Sequence, residues 1–128
     1  MNKRKILVID DEEGFTRLVK LNLEKTGRFE VKAENDALRC LQTARDFQPD
    51  LILLDIVMPG KDGGEVLAEL QQDLALKDVP VIFLTATVTL KGVEAQGGFI
   101  RDMPFLAKPV DPKTLVRRIE EELEHSGR

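Results

Sequence analysis

Polar side chains follow four of the short apolar runs in this chain. Asp10 and Asp11 come directly after "KILVI", Asp55 after "LILL", Thr85 after "PVIFL" and Lys108 after "PFLA". An aspartate at the end of a buried strand costs free energy unless something pairs with it. The carboxylates of Asp11 and Asp55 can hold Mg²⁺, and an ammonium and a hydroxyl suit the oxygens of a phosphoryl group. The set therefore indicates a divalent cation and a phosphoryl group, with a free oxygen of Asp55 able to attack phosphorus.

Each of these residues alone has a simpler explanation. The acidic run "DDEE" could favour the amino end of a helix, and Asp55 could form a turn before Pro59. Thr85 is a β-branched residue of the kind that strands favour, and Lys108 could be a solvated strand end. Three carboxylates placed together without a ligand would repel one another, so the combination favours the functional interpretation.

The elements that would position these residues alternate between two apolar patterns. Short continuous runs are typical of strands that are covered on both faces, as in a parallel sheet. Longer segments have the helical period. Strands are predicted at 5–9, 29–33, 51–54, 80–84 and 104–107. The helical stripes are Phe15, Leu18, Val19 and Leu23; Ala37, Leu38, Leu41 and Ala44; Val66, Leu67 and Leu70; and Leu115, Val116, Ile119 and Leu123.

This alternation predicts one α/β domain over residues 1–128, a (βα)5 doubly wound parallel sheet of five strands with helices on both faces. The carboxyl ends of parallel strands share one edge, where open α/β sheets bind ligands. We therefore expect the polar strand-end residues to lie close together. Asp111 and Pro112 predict the start of the last helix, whereas Asp62 and Gly63 are interpreted as turn residues.

Composition and charge exclude several classes of function. The 128 residues carry a formal net charge of -4, which argues against nucleic acid or an anionic membrane as the direct partner. Cys40 is the only cysteine, so an internal disulfide is excluded and a reducing compartment is expected. The basic start "MNKRK" precedes an apolar run too short for a signal peptide or a membrane span, which predicts a cytoplasmic protein.

Four motifs taken together resemble the receiver domain of bacterial two-component response regulators. They are "VIDDEE", "LLDIVMPGKDGG", "FLTA" and "FLAKPVDP", in this order and across essentially the whole chain. The resemblance implies the flavodoxin-like strand order 2-1-3-4-5. It also implies a signalling domain rather than an enzyme. Such a domain takes a phosphoryl group from a sensor histidine kinase or a phosphotransfer protein and passes the signal to a downstream protein target.

The same resemblance implies roles around the metal and the acceptor. Asp55 would be the phosphoacceptor of a largely self-catalysed, metal-assisted reaction. Mg²⁺ or Mn²⁺ would be bound directly by Asp11 and Asp55, largely through water by Asp10, and by the backbone carbonyl of Val57.

The resemblance also implies roles around the phosphoryl group. Lys108 would pair with Asp55 at rest and with the phosphoryl group after transfer. Thr85 would move toward the phosphate, and Phe105 would occupy the aromatic switch position. The peptide bond between Lys108 and Pro109 would be cis, a state that is essentially confined to bonds before proline.

One region departs from the pattern of the family. Residues 87–104 contain Gly92, Gly97 and Gly98, with extra residues before Phe105, where receivers usually have a firm helix. A glycine inside a helix costs roughly 1 kcal/mol relative to alanine. We therefore expect a short helix between the fourth and fifth strands, within the least rigid part of the domain, which a phosphorylation switch could order.

Three other functions fit the residues less well. Phosphatases with an aspartate nucleophile carry D-x-D-x-T after the first strand, whereas the reacting aspartate here follows the third. Flavin binders of this architecture have a Ser/Thr-rich loop after the first strand and aromatic residues around the ring, but this chain has "DDEEG" there and neither Trp nor Tyr. A degenerate receiver used only for docking would not need the full set of site residues.

Overall fold

The computed structural model describes residues 3–85 and 104–125. The strands are β1 (Arg4–Ile9), β2 (Phe29–Glu34), β3 (Leu51–Asp55), β4 (Val81–Thr85) and β5 (Phe105–Ala107). The helices in these ranges are α1 (Glu13–Glu24), a 3₁₀ turn (Ala37–Arg39), α2 (Cys40–Phe47), α3 (Gly63–Gln72) and α4 (Pro112–His125). The helix predicted between β4 and β5 lies outside the described residues, as does all but Pro104 of the segment 87–104 for which low rigidity is predicted.

The five strands form one parallel sheet in the order β2-β1-β3-β4-β5. This order confirms the predicted fold class and the topology that the resemblance implied. In the pairing of β1 with β3, Ile9 and Leu54 are the last aligned residues. On the other side of β1, Ile9 is aligned with Glu34 of β2. The chain segments that follow β1, β2 and β3 therefore emerge next to one another at the same edge of the sheet.

Helices on both faces of the sheet bury two hydrophobic cores. The central strands β1 and β3 send alternate side chains into each core, and these side chains are fully buried. The core under α2 and α3 receives Leu7, Ile9, Ile52 and Leu54. The core under α1 and α4 receives Ile6, Val8, Leu51 and Leu53. Burial of one such side chain stabilises the fold by roughly 1.5–3 kcal/mol, so the sheet is a firm base for the loops at its edge.

The stripe predicted for α1 is wrong in one residue. The buried residues of α1 are Thr16, Val19 and Leu23, whereas Leu18 is 55% exposed. Neighbouring residues of a helix are about 100° apart around its axis. In α1 it is Val19 that faces the sheet, and the step of about 100° to Leu18 turns that side chain toward solvent.

The stripe predicted for the second helix is also wrong in one residue. Residues Ala37–Arg39 form a 3₁₀ turn, which Asp36 caps by accepting a hydrogen bond from the backbone N–H of Leu38 at 3.0 Å. The α-helix begins only at Cys40, which is buried. Because the tighter turn has about three residues per turn, Leu38 is rotated off the buried face and is 68% exposed.

The remaining helices follow the sequence pattern. Val66, Leu67 and Leu70 of α3 are buried, as are Leu115, Ile119 and Leu123 of α4. The start of α4 lies at Pro112, as predicted. The carboxylate of Asp111 accepts a hydrogen bond from the backbone N–H of Thr114 at 3.1 Å, which satisfies a donor of the first turn. Within residues 3–85 and 104–125, no helix has both the length and the apolar character that crossing a membrane requires.

Candidate functional site

The register of the sheet brings Asp10 next to Asp55. Asp10 directly follows β1, and Asp55 is the last residue of β3. Both therefore lie one position beyond the aligned pair of Ile9 and Leu54. Carboxylate oxygens of Asp10, Asp11 and Asp55 lie within 4.8 Å of one another. Asp10 is 0% exposed and Asp55 is 6% exposed, whereas Asp11 faces solvent. Two buried carboxylates and one exposed carboxylate therefore converge on one small volume at the edge of the sheet.

Lys108 directly follows β5, and its side chain reaches the cluster from the β5 side of the sheet. Its backbone N–H donates to the carbonyl of Thr85 at 2.8 Å, which extends the pairing of β5 with β4 by one residue. The Lys108–Pro109 peptide bond is cis. The ammonium Nζ lies 2.5 Å from Oδ2 of Asp10 and 3.6 Å from Oδ2 of Asp55. Of these two aspartates, Asp10 therefore holds the ammonium more closely.

Two residues of the α1 region complete the surroundings of Lys108. The ammonium lies 3.1 Å from Oε1 of Glu12 and 4.7 Å from the ring centroid of Phe15. A cation at this distance from an aromatic face is attracted by the ring quadrupole. Neither role has a specific signal in the sequence, because Glu12 is one acid in "DDEE" and Phe15 belongs to an apolar stripe. Both contacts join residues that are more than ninety positions apart.

Burial and neighbouring charges shift the pKa values of Asp55 and Lys108. Burial, and then the negative charge of Asp10, raises the pKa of Asp55 from its ordinary value of 3.8 to about 7. The positive charge of Lys108 and a hydrogen bond from the backbone N–H of Val57 oppose this rise. For Lys108, burial works to lower the pKa, but the hydrogen bond to Asp10 and the charges of Asp55 and Asp10 outweigh it, so the pKa is raised. The ammonium is therefore held in its charged form.

Gly63 fixes the backbone behind Asp55. Its N–H donates to the carbonyl of Ile56 at 2.7 Å. A Cβ atom at Gly63 would lie 2.6 Å from the carbonyl oxygen of Asp55 and 2.8 Å from Cα of Ile56. Only glycine allows the start of α3 to press so closely on the end of β3.

The residue before Gly63 is a helix cap. The carboxylate of Asp62 accepts a hydrogen bond from the backbone N–H of Glu65 at 2.9 Å, and the side chain of Glu65 in turn accepts from the N–H of Asp62. This reciprocal capping box agrees with the structural interpretation of Asp62. For Gly63, the turn interpretation missed the contact with Asp55, for which the only signal was the "DGG" behind the aspartate.

The remaining residues of the predicted site lie at different depths. Thr85 ends β4 and is buried at the same edge, one position beyond the pairing of Leu84 with Asp55. Val57 lies two positions after Asp55, and its side chain is exposed. Phe105 begins β5 opposite Phe83 and packs against the core under α2 and α3. The structure thus places Thr85 at the same edge of the sheet as the cluster, while Phe105 lies at the opposite end of β5 from Lys108.

The donor set of the cluster fits a hard divalent cation. Three carboxylates face one ammonium inside a volume where Asp10 has no exposure to water. Carboxylate oxygens are the ligands that Mg²⁺ takes, together with several retained waters. The exposure of Asp11 leaves room for such waters on the solvent side. The excess of negative charge, the oxygen donors and the open side therefore all suit Mg²⁺, with Mn²⁺ suited by the same donors.

A family model described as the response regulator receiver domain matches residues 6–120 of the chain. Curated relatives include the DNA-binding dual master transcriptional regulator RpaA of Synechocystis sp., 34% identical over 97% of this chain and 51% of that protein. The phosphate regulon transcriptional regulatory protein PhoB of Pseudomonas aeruginosa is 35% identical over 95% of this chain and 52% of that protein. The chain thus spans about half the length of these relatives.

Among solved structures, the chemotaxis protein CheY4 of Vibrio cholerae is similar over most of its length. The two structures superpose with a TM-score of 0.84 at 25% sequence identity. The similarity covers 94% of this chain and 99% of that protein.

Proposed function

The chain belongs to the receiver domains of two-component response regulators, and we propose that it stores a signal as a phosphoryl group on Asp55. The observation that carries this proposal is the position of Asp55 at the edge of the sheet. There it is nearly buried, faces two further carboxylates and lies 3.6 Å from the ammonium of Lys108. A carboxylate with such neighbours is a nucleophile held next to the charges that a phosphoryl group requires.

The proposed reaction transfers a phosphoryl group from the phosphohistidine of a sensor histidine kinase or a phosphotransfer protein. A deprotonated oxygen of Asp55 donates an electron pair to phosphorus, and an O–P bond forms. The P–N bond breaks, and its electron pair stays on the imidazole nitrogen of the donor, which then binds a proton. Bound Mg²⁺ would supply positive charge that offsets the carboxylates and the phosphoryl oxygens.

The chain's own residues hold the reacting groups in place. Asp11, Asp55 and the backbone carbonyl of Val57 would hold the cation directly, and Asp10 through water. Lys108 is charged and close enough to move from Asp10 toward a phosphoryl group on Asp55, since the two carboxylate oxygens are 2.5 and 3.6 Å from its Nζ. Thr85 would donate its hydroxyl to a phosphoryl oxygen, and Phe105 would follow that movement at the start of β5.

The partners follow from the family and remain part of the proposal. The relatives named above include transcriptional regulators about twice as long as this chain, so the downstream target is expected to be a protein or an attached output domain. We propose a cytoplasmic signalling domain that assists its own phosphorylation and has no external substrate, and therefore is not an enzyme. A receiver used only for docking is not favoured, because it would not need the complete site.

The proposal is tested by phosphorylation with acetyl phosphate and Mg²⁺, followed by intact mass spectrometry. Wild-type chain is expected to gain one phosphoryl group, and a chelator is expected to prevent it. Asp55→Asn is expected to gain none. Asp62→Asn is the matched control, because it makes the same chemical change at a half-buried aspartate that caps α3. Labelling of Asp55→Asn, or labelling in the presence of chelator, would overturn the proposal.

A further inference from the structure

Asn35 ties together the two ends of the acidic loop, which we define as residues 10–12 between β1 and α1. Its side-chain amide Nδ2 donates to the backbone carbonyl of Asp10 at 2.8 Å and to the hydroxyl oxygen of Thr16 at 2.9 Å. The hydroxyl of Thr16 in turn donates to the carbonyl of Glu13 at 3.1 Å. One side chain thus links the residue where the loop begins to the first turn of α1.

The position of Asn35 explains why this link falls on the acidic loop. β2 ends at Glu34, whose carbonyl accepts a hydrogen bond from the N–H of Asp10 at 3.1 Å. Asn35 is the next residue, and its amide binds the carbonyl of the same Asp10. The side chain therefore continues the pairing between β2 and β1 by one position beyond the end of the strands.

These contacts fix Asp10 through both its backbone and its side chain. The carboxylate Oδ1 of Asp10 accepts a hydrogen bond from the N–H of Glu12 at 3.0 Å, and its Oδ2 binds Lys108. Asp10 is 0% exposed and Thr16 is 2% exposed, so water cannot readily replace the amide between them. A primary amide offers two N–H donors, and here each has a partner, which neither a carboxylate nor an apolar side chain could reproduce.

We propose that Asn35 is a positioning residue of the metal site, which acts by holding the acidic loop in the geometry that cation binding requires. This inference rests on the proposed function of the acidic cluster. Asn35 is not one of the three carboxylate residues of the cluster. Its effect passes through the backbone of Asp10 and the first turn of α1 to the carboxylates of Asp10 and Asp11. Groups that orient metal ligands in this way typically change metal affinity or activity by about 10–100-fold when they are lost.

The substitution Asn35→Leu tests the inference, because leucine has nearly the same size and no donors. Gln42→Leu is the matched control, since it removes the same kind of amide without a change of charge. The amide of Gln42 donates to Asp46 on the exposed side of α2 and contacts no residue of the site. Thr16→Val removes the second partner of Asn35 with almost no change of volume.

The measurement is Mg²⁺ affinity by isothermal titration calorimetry on the full chain, well below the melting temperature. Asn35→Leu is expected to weaken Mg²⁺ binding by about tenfold or more, and Gln42→Leu by less than about twofold. Phosphorylation by acetyl phosphate should slow by a similar factor at low Mg²⁺ and recover at saturating Mg²⁺. A role in stability alone would lower the melting temperature without this dependence on Mg²⁺ concentration.

The outcomes separate this inference from the proposed function. A wild-type chain that neither binds Mg²⁺ nor gains phosphate overturns the proposed function and the inference with it. A functional wild type together with normal Mg²⁺ affinity in Asn35→Leu overturns the inference alone. If Asn35→Leu does not fold, Thr16→Val decides: weaker Mg²⁺ binding supports the inference, and unchanged binding overturns it.

Discussion

Alanine substitutions at Gly63 and Gly14 should change the stability of the domain in opposite directions. The two glycines stand within the first two positions of α3 and α1. A Cβ atom at Gly14 would meet no atom within 4 Å, whereas one at Gly63 would meet backbone atoms of Asp55 and Ile56 at 2.6 and 2.8 Å. The added methyl group therefore fits without contact at Gly14 in α1 but collides with backbone atoms at Gly63 in α3.

The expected magnitudes follow from these distances. Alanine stabilises a helix relative to glycine by roughly 0.5–1 kcal/mol, which is the gain expected at Gly14. Carbon atoms attract each other best at about 3.5–4.0 Å, so the approach to Ile56 is about 0.7 Å too close. The obstructing atoms belong to the backbone and cannot rotate away. Overpacking of this kind costs roughly 1–3 kcal/mol, so Gly63→Ala should lose about 1–2 kcal/mol after the helical gain.

The assay is thermal and urea unfolding followed by far-UV circular dichroism. With about 4 °C per kcal/mol for a domain of this size, Gly63→Ala should melt roughly 4–8 °C below the wild type. By the same conversion, Gly14→Ala should melt roughly 2–4 °C above it. Gly63→Ala should also slow phosphorylation by acetyl phosphate about tenfold, because relief of the clash displaces the backbone of Asp55.

Similar stabilisation of both variants would refute the reasoning, since it would mean that α3 can retreat from β3 at no cost. A stability loss at Gly63 with an unchanged rate of phosphorylation would refute only its second part. In that case the strain would be relieved in α3 and not at Asp55.

Two further predictions concern the negative charge of the acidic cluster. Mg²⁺ should raise the melting temperature of the wild type, because a ligand that binds only the native state at 100 times its Kd stabilises by about 2.7 kcal/mol. Asp11→Asn should abolish this rise while stabilising the metal-free chain by removing a like charge, and an equal response to Mg²⁺ in the variant would contradict the role of Asp11. In chelator, the raised pKa of Asp55 means that the native state binds more protons than the unfolded state between pH 3.8 and about 7. The contribution of Asp55 to stability is thus present below this range and lost as the pH rises through it. Urea unfolding should show that the free energy of unfolding of Asp55→Asn, minus that of the wild type, grows as the pH rises over the range. A difference that stays constant with pH would show that the pKa is not raised.

The sequence alone predicted the architecture and most residues of the candidate site. Continuous apolar runs alternating with helical stripes predicted a parallel sheet, and a parallel sheet places all its carboxyl ends at one edge. Asp10, Asp55, Thr85 and Lys108 are predicted in this way because each stands directly at such an end. The strand order came from the family resemblance, since no local pattern says which strands are neighbours.

Tertiary structure decided which atoms meet at that edge. The contact of Lys108 with Asp10, Glu12 and Phe15 depends on how β5 lies relative to α1, and the amide of Asn35 reaches Asp10 only because β2 pairs with β1. Leu18 has the spacing of a core residue but faces solvent, because packing fixes the rotation of α1. Apolar periodicity indicates only which face of an element is buried. The contacts of Lys108 and Asn35 join segments that are distant in sequence, so the geometry of these contacts exists only after the sheet and helices have packed.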